Sequence, residues 1–315
     1  MKHVPVLLEE VVSFLFGRGE SVVVDATLGG GGHAEAVLRR FPEVKLLIGL
    51  DRDEEAVERA AARLAPFGPR VRAQKAHFIE LGDVMDRMGV SKADAVLMDL
   101  GVSSFHLDDP ARGFSFSKNG PLDMRMDKAQ SLTAAGLVNT LGERELALIF
   151  YRYGEERHSA RIAKEIVKER AGEPIATTGR LAKIVEKAMP GGAKHGPIHP
   201  ATRVFQALRI AVNGELDNLA QSIEKAAERL NPGGRIGVIS FHSLEDRIVK
   251  DVFSRLSGRC ECPPGLPVCV CGKRKSVNVI TRKPVTAGDE ETGANPRARS
   301  AKLRVAERVE EKEAA

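Results

Sequence analysis

Short β-branched apolar runs alternate with stretches of helical periodicity over the first hundred residues. The apolar runs predict strands at residues 21–25, 45–50, 71–76 and 93–100. The amphipathic stretches predict helices at residues 32–40, 53–65 and 80–88. Strands that alternate with helices are typical of a parallel sheet with right-handed crossovers, so the pattern predicts an α/β fold.

This alternation stops after residue 100 and resumes near residue 231. Between these points the pattern predicts a long loop and then a set of helices, at residues 101–130, 143–151, 158–171, 177–189 and 201–230. Beyond a turn at residues 231–234 it predicts the remaining elements: strand 235–240, helix 243–256, and strands near 276–281 and 301–309. The simplest organisation is one α/β domain that carries a helical insertion.

Composition excludes several classes of protein. The chain has 315 residues, 43% hydrophobic and 29% charged, which is ordinary for a globular protein. It contains no run of about 18 apolar residues that would span a membrane. The first apolar run ends in two glutamates, Glu9 and Glu10, and does not resemble a signal peptide. We therefore expect a cytoplasmic protein.

Charge is distributed unevenly along the chain. Residues 1–108 hold 13 basic and 17 acidic side chains, residues 109–204 hold 16 and 11, and residues 247–304 hold 13 and 5. A basic excess away from the acidic first segment favours a polyanion such as nucleic acid as partner. The alternative is a scatter of solvated lysines and arginines.

A glycine turn follows the first predicted strand in VVVDATLGGGGHAEAVL. Glycines 29–32 bring bare backbone to the start of a helix, and Asp51 ends the next strand, where a carboxylate can bind ribose hydroxyls. These features suit NAD and S-adenosylmethionine equally, and a tight turn with a capping aspartate would also produce them. Asp25 just before the glycines favours a cationic ligand over a pyrophosphate, and Asp99 adds a third acid at a strand end.

The sequence resembles the bacterial 16S ribosomal RNA cytosine-N4 methyltransferases, the ribosomal RNA small-subunit methyltransferase H family. The strings that carry the resemblance span nearly the whole chain: HVPVLLEE, DATLGGGGH, DRD, DLGVSS, RGFSFSKNGPLDMRMD, YGEERHSARIA, HPATRVFQALRIAVNGEL, GGRIGVISFHSLEDRIVK and NPRARSAKLR.

The resemblance implies a class I (Rossmann-like) methyltransferase core with an inserted all-helical domain. The core would comprise residues 1–108 and 205–315 and bind S-adenosylmethionine, and residues 109–204 would recognise RNA. The implied reaction is methylation of the N4 amine of a 16S rRNA cytidine near the decoding centre, at the P site. The implied partner is 16S rRNA or the 30S subunit; oligomeric state stays open, with a homodimer as one option.

The resemblance also implies the residues of the cofactor site. They are Gly31, Gly32, His33, Asp51, Phe78 beside the adenine, Asp99 near the methyl donor, and His106. The chain departs from the family in two places: His106 stands where glutamine is frequent, and Ala34 where serine is common.

Asp99 is the candidate catalytic residue. Methyl transfer to an exocyclic amine needs positioning and a hydrogen-bond acceptor for the amine proton. The segment after the fourth strand reads Asp-Leu-Gly-Val-Ser-Ser and lacks the prolines of many amino-methyltransferases. We therefore interpret Asp99 as a cofactor ligand first and an amine acceptor second, with Ser103 or Ser104 as possible base contacts. His242 either joins this site or caps a helix.

Two segments are candidates for RNA contact. Arg203, Phe205 and Arg209 would bind phosphates and stack a base, or else belong to an amphipathic core helix. The loop 112–126 combines Arg112, Lys118 and Arg125 with two phenylalanines, Phe114 and Phe116, and would close over the site or bind RNA.

All four cysteines lie in CECPPGLPVCVC, at positions 260, 262, 269 and 271. Four thiolates bind zinc tetrahedrally, but one-residue spacers are shorter than the usual two to four. Disulfides are disfavoured in the cytosol. We therefore assign no metal ligand here and interpret the segment as a reduced, thiol-rich loop that faces RNA, with zinc as the alternative.

Three other functions fit parts of the sequence. A DNA cytosine-N4 methyltransferase would need the same motifs, because they do not read the sugar. A non-catalytic RNA-binding assembly factor would not need all three strand-end acids. A nicotinamide oxidoreductase would not need them either.

Overall fold

The computed structural model describes residues 5–191, 199–260, 262, 271 and 274–310. The chain forms two compact units, one of residues 1–101 and 216–315 and the other of residues 102–215. The predicted insertion, 109–204, is shorter at both ends than this second unit. The helical unit takes in these extra residues because Val102, Leu107, Leu208 and Val212 pack into its apolar core.

One sheet of seven strands organises the first unit. The strands are β1 Val22–Asp25, β2 Leu46–Asp51, β3 Val71–Lys75, β4 Ala93–Asp99, β5 Leu230–Ser240, β6 Val277–Val279 and β7 Lys302–Arg308. Their order is β3-β2-β1-β4-β5-β7-β6. Pairing is parallel from β3 to β5, while β7 runs antiparallel to both β5 and β6.

Apolar side chains cover both faces of this sheet. Successive residues point to opposite faces, so Val23 and Leu47 enter one core while Val24 and Ile48 enter the other. This double burial is why the parallel strands read as continuous apolar runs rather than as alternating ones.

Seven α-helices belong to the described part of this unit: α1 Leu8–Leu15, α2 Gly32–Arg40, α3 Glu54–Leu64, α4 Leu81–Arg87, α11 Leu219–Glu228, α12 Ser243–Leu256 and α13 Asp289–Ala294. Residues of α1, α2 and α3 fill one core, and residues of α4, α11 and α12 fill the other. The sheet is therefore covered by helices on both sides, which gives the α/β architecture that the sequence predicts.

The second unit is helical. Its α-helices are α5 Ser104–Asp108, α6 Ala134–Thr140, α7 Glu143–Gly154, α8 Ser159–Arg170, α9 Thr178–Ala188 and α10 Ala201–Asn213. Phe150, Ile162, Leu181 and Leu208 are among the fully buried side chains of its core. No helix in the described part of either unit is long and apolar enough to cross a membrane.

The prediction of one long helix over residues 201–230 is wrong. Helix α10 ends at Asn213 because Gly214 adopts a left-handed conformation with φ 58° and donates its N–H to the carbonyl of Ile210. Helix α11 begins at Leu219, so five residues separate the two helices. A glycine just after a helix is a standard stop signal, and the continuous apolar periodicity around Gly214 concealed it.

Candidate active site

Three aspartates end three adjacent strands at one edge of the sheet. Asp25 closes β1, and its Cα pairs with Gly49 of β2 and with Leu97 of β4. Asp51 and Asp99 each lie two residues further along those flanking strands. The structure thus brings together the three acids that the sequence predicted on one rim.

Burial, together with their closeness, raises the pKa values of two of these aspartates. Burial raises the pKa of Asp25 to about 7, with a further contribution from the Asp51 carboxylate. Burial also raises the pKa of Asp99 well above its ordinary value, and the carboxylates of Asp25 and Glu245 add to the effect. The raised pKa values show that ionisation of these carboxylates is disfavoured in the ligand-free protein, and a cationic ligand would favour their ionised forms.

Glu245 is an acid that sequence reasoning missed. Its side chain is buried, and its Oε2 accepts the N–H of Phe241 at 2.8 Å. His242 caps helix α12 through Nδ1, which accepts the N–H of Glu245 at 3.4 Å, so the capping interpretation of His242 is correct. His242 and Glu245 form a capping box at the start of α12. Their three-residue spacing is the sequence signal that could have predicted a carboxylate just after β5.

Asp51 ties the glycine turn to β2. Its Oδ2 accepts the N–H of Gly29 at 2.8 Å, and its Oδ1 accepts the N–H of Asp53 at 2.9 Å. Gly29 has φ 52°, a conformation that glycine adopts without strain. The acid thus shapes the turn beside which a ribose would lie.

Gly31 and Gly32 have little room for a side chain, because neighbouring residues pack against them. A Cβ on Gly31 would lie 3.3 Å from the Cβ of Ala60, and one on Gly32 would lie 2.7 Å from Cγ of Pro5. Gly31 also has φ 74° and caps α2. These two glycines let the N-terminus of α2 approach α3 and the first residues of the chain, so their effect on a ligand is through the backbone that they position.

His33 connects the helix to the acidic rim. Its ring is buried, and Nε2 lies 2.9 Å from the carbonyl oxygen of Val6, so Nε2 carries the hydrogen in this contact. Its Nδ1 faces Asp99 Oδ2 at 3.7 Å. The ring therefore borders the carboxylate predicted to lie near the methyl donor.

Phe78 begins a 3₁₀ helix that follows β3. The ring is half-buried and packs on His77, with centroids 4.0 Å apart. Its place after β3 is the one that the resemblance implies for a residue beside adenine.

His106 belongs to the helical unit. It lies in α5, is 5% exposed, and stacks on Phe114 with ring centroids 5.0 Å apart. Ser103 caps the same helix, since its Oγ accepts the N–H of His106. The predicted cofactor contact of His106 stays a prediction.

Phe205 does not present a surface for stacking a base. It is 4% exposed, packs in the helical core and meets Phe116 edge-on at 5.0 Å. Arg209 pairs with Glu215 at 2.8 Å, and Arg203 lies 3.9 Å from Glu156. The sequence offered two interpretations of this segment, and the structure supports the amphipathic core helix.

The loop 112–126 is folded into the helical unit. Arg112 is buried and donates to the carbonyls of Arg125 and Met126 at 3.0 and 2.8 Å. Arg125 pairs with Asp123 at 2.8 Å. Lys118 is exposed, and it alone of the three predicted cations keeps its charge at the surface.

The described cysteines cluster. The Sγ atoms of Cys260, Cys262 and Cys271 all lie within 4.8 Å of one another. Cys269 lies outside the described residues.

The rim suits a positively charged cofactor. Asp99 Oδ1 is buried and has no hydrogen-bond partner among the described residues. Such an orphan acceptor beside two further carboxylates fits a ligand that brings a donor or a positive charge. The N-terminus of α2, at Gly32, supplies the opposite polarity and suits a carboxylate.

The strand order, with an antiparallel β7 inserted between β5 and β6, defines a Rossmann-like methyltransferase core. The sequence profile of the MraW methylase family matches residues 1–309 of the chain. The chain belongs to the MraW methylase family.

Two relatives of high sequence identity agree with this assignment. The chain is 53% identical over 302 residues to ribosomal RNA small subunit methyltransferase H of Symbiobacterium thermophilum, covering 96% of this chain and 95% of that protein. It is 51% identical to the protein of the same name from Syntrophotalea carbinolica, covering 98% of each. Among solved structures, a putative rRNA-methylase from Clostridium thermocellum matches with 14% identity and TM-score 0.42 over 96% of this chain and 95% of that one. The family predicted from sequence motifs is confirmed.

Proposed function

We propose that this protein transfers a methyl group from S-adenosylmethionine to the N4 amine of a cytidine in 16S rRNA, near the decoding centre at the P site, in the cytoplasm. The observation that carries the cofactor assignment is the cluster of Asp25, Asp51 and Asp99 on one rim. Family membership and the names of the relatives support ribosomal RNA of the small subunit as substrate.

The cofactor supplies an activated methyl on a sulfonium, and the rim supplies complementary charge. Asp25 and Asp99 would face the positive groups of the ligand, and Asp51 would accept hydrogen bonds from its ribose hydroxyls. Phe78 would flank the adenine. Backbone N–H groups at the start of α2, positioned by Gly31, Gly32 and His33, would receive the carboxylate end. The contact of His106 with the cofactor is a prediction that the family resemblance implies.

Asp99 would act on the amine as well as on the cofactor. Burial and neighbouring carboxylates raise the pKa of Asp99, so its ionised form is a stronger base than an exposed aspartate. A carboxylate at this strand end would orient the cytosine amine and accept its proton. Positioning of the amine in line with the methyl would supply the rest of the acceleration.

Helix α8 offers a surface for RNA. Arg161, Lys164 and Lys168 are exposed and recur at spacings of three and four residues, which places them on one face of the helix. Such a row suits successive phosphates of a nucleic-acid strand. We assign substrate binding to the helical unit on this basis, in place of the buried Phe205.

Deletion of the gene followed by mass spectrometry of 16S rRNA tests the reaction. We expect one cytidine to lose its N4 methyl group and to regain it when the wild-type gene is restored. Asp51→Ala and Asp99→Asn should both fail to restore it. If every 16S cytidine methyl survives deletion, the ribosomal assignment is wrong; a lost methyl restored by Asp99→Asn would show that transfer does not need the charge of Asp99.

Purified protein distinguishes RNA from DNA. Methylation of 30S subunits, free 16S RNA and a DNA of the same sequence should show transfer to RNA only. The triple variant Arg161→Glu, Lys164→Glu, Lys168→Glu should lower kcat/KM for RNA at least tenfold with unchanged affinity for S-adenosylmethionine. Lys45→Glu, an exposed lysine of the other unit, is the matched control and should change neither.

A further inference from the structure

The two ends of the segment between α12 and β6 lie side by side. Helix α12 ends at Leu256, and β6 begins at Val277. The N–H of Ser276 donates to the carbonyl of Leu256 at 2.8 Å, and the Ser276 hydroxyl donates to the same oxygen at 3.2 Å. The two ends of the segment are thus fixed side by side before the cysteines begin.

Three thiols meet just beyond this base. Their sulfur atoms, from Cys260, Cys262 and Cys271, all lie within 4.8 Å of one another. The Sγ atoms of Cys260 and Cys271 are 3.9 Å apart, although eleven residues separate them in the sequence. Cys262 and Cys271 are half-buried.

The spacing of the sulfur atoms matches one tetrahedral metal ion. With Zn–S bonds of about 2.3 Å, tetrahedral geometry places two sulfur ligands about 3.8 Å apart. A disulfide would instead need the sulfur atoms about 2.05 Å apart. The separation of Cys260 and Cys271 therefore fits shared coordination and not a covalent bond.

Two further features favour thiolate ligands. The backbone N–H of Cys262 points to Sγ of Cys260 at 3.4 Å, a donor placed to stabilise negative charge on that sulfur. Arg259, Arg274 and Lys275 flank the cluster in the sequence. Three thiolates around Zn²⁺ carry a net charge of −1, which such cations balance.

We propose that Cys260, Cys262 and Cys271 bind a structural zinc ion through their thiolates. This departs from the sequence-based assignment of no metal. The one-residue spacers argued against zinc when each pair was considered alone, whereas the fold brings Cys271 next to Cys260 and Cys262. The metal would join residues eleven positions apart in the sequence and so stabilise this basic segment.

Metal analysis of the purified full-length protein tests this directly. We expect about one zinc per chain, and a fall of at least fivefold in each of the variants Cys260→Ser, Cys262→Ser and Cys271→Ser. Ser257→Ala, next to the segment but without a thiol, is the matched control and should keep its zinc. Circular dichroism and S-adenosylmethionine binding verify that each variant is folded.

Cobalt provides a second, independent measurement. Replacement of zinc by Co²⁺ should give the intense visible bands of a tetrahedral site together with thiolate-to-cobalt charge transfer in the near ultraviolet. Wild-type protein that holds less than a tenth of an equivalent of zinc after incubation with the metal would overturn the proposal, as would undiminished zinc in Cys260→Ser or Cys271→Ser.

Discussion

Asp25 and Asp99 end neighbouring parallel strands, and the carboxylate of Asp25 adds to the rise in the pKa of Asp99 that burial causes. Asp51, on the other side, adds in the same way to the rise that burial causes in the pKa of Asp25. Sheet topology forces this crowding, because β1 lies between β2 and β4 and all three strands end at the same edge. A cationic ligand relieves the repulsion, and this links affinity for the cofactor to pH.

Affinity for S-adenosylmethionine should rise with pH. The pKa of Asp25 is raised to about 7 in the free protein, and a bound cation lowers it by favouring the ionised form. Below pH 7 binding must therefore release a proton, so Kd should fall by up to about tenfold per pH unit between pH 5.5 and 7 and level off above. Isothermal titration calorimetry in buffers of different ionisation enthalpy measures both the affinity and the proton release.

Adenosine serves as the uncharged control for this titration. It keeps the base and the ribose but brings no positive charge, so its affinity should vary little over the same range. Equal slopes for adenosine and S-adenosylmethionine would contradict a role of the carboxylates toward the cation.

Asp25→Asn should stabilise the ligand-free protein at high pH. The folded-state pKa of Asp25 lies above the ordinary value, so the folded protein binds the extra proton between pH 4 and 7 and loses stability as pH rises through that window. Asparagine keeps an acceptor for the N–H of Thr27 without the charge. The free energy of unfolding should rise by about 1–3 kcal/mol at pH 8 and change little at pH 4. Urea unfolding at both pH values measures this difference.

The same substitution should weaken cofactor binding. A variant that gains stability and loses affinity would show that the carboxylate is retained for the ligand, whereas loss of stability at pH 8 would assign Asp25 a structural role.

Gly32→Ala should destabilise the first unit by about 1–3 kcal/mol. The new methyl group would lie 2.7 Å from Cγ of Pro5, a rigid ring that has to move. Gly293→Ala is the matched control, because a Cβ there meets nothing within 4 Å in helix α13. Thermal unfolding should show a lower Tm for Gly32→Ala and an equal or higher Tm for Gly293→Ala. Equal melting of both variants would mean that Pro5 does not pack on the turn.

Asn213→Ala should destabilise the helical unit. The buried amide accepts the N–H of Met126 at 2.8 Å and donates to the carbonyls of Met124 and Arg209 at 2.8 and 2.9 Å. Removing it leaves buried backbone groups unpaired, at about 1–3 kcal/mol. Hydrogen exchange should show faster opening of residues 124–126 and of α10, while exchange in strands β1 to β5 stays unchanged.

Strand ends and helix starts were predictable because they depend on local patterns. Asp25, Asp51 and Asp99 each end a run of apolar residues, and parallel strands must place such residues on one edge. The break at Gly214 and the carboxylate of Glu245 were missed for the opposite reason. Continuous apolar periodicity concealed the break at Gly214. The carboxylate of Glu245 lies near the rim only because of the direction in which α12 leaves β5.

The sequence by itself determined the alternation of strands and helices, the family and the three rim acids, because each of these depends on residue order or on neighbours a few positions apart. Only the tertiary structure decided that Phe205 is core rather than surface, that Gly32 makes room for Pro5, and that Cys260 meets Cys271. Those facts depend on which distant segments pack together, and burial and distance between such segments are not encoded in any local pattern.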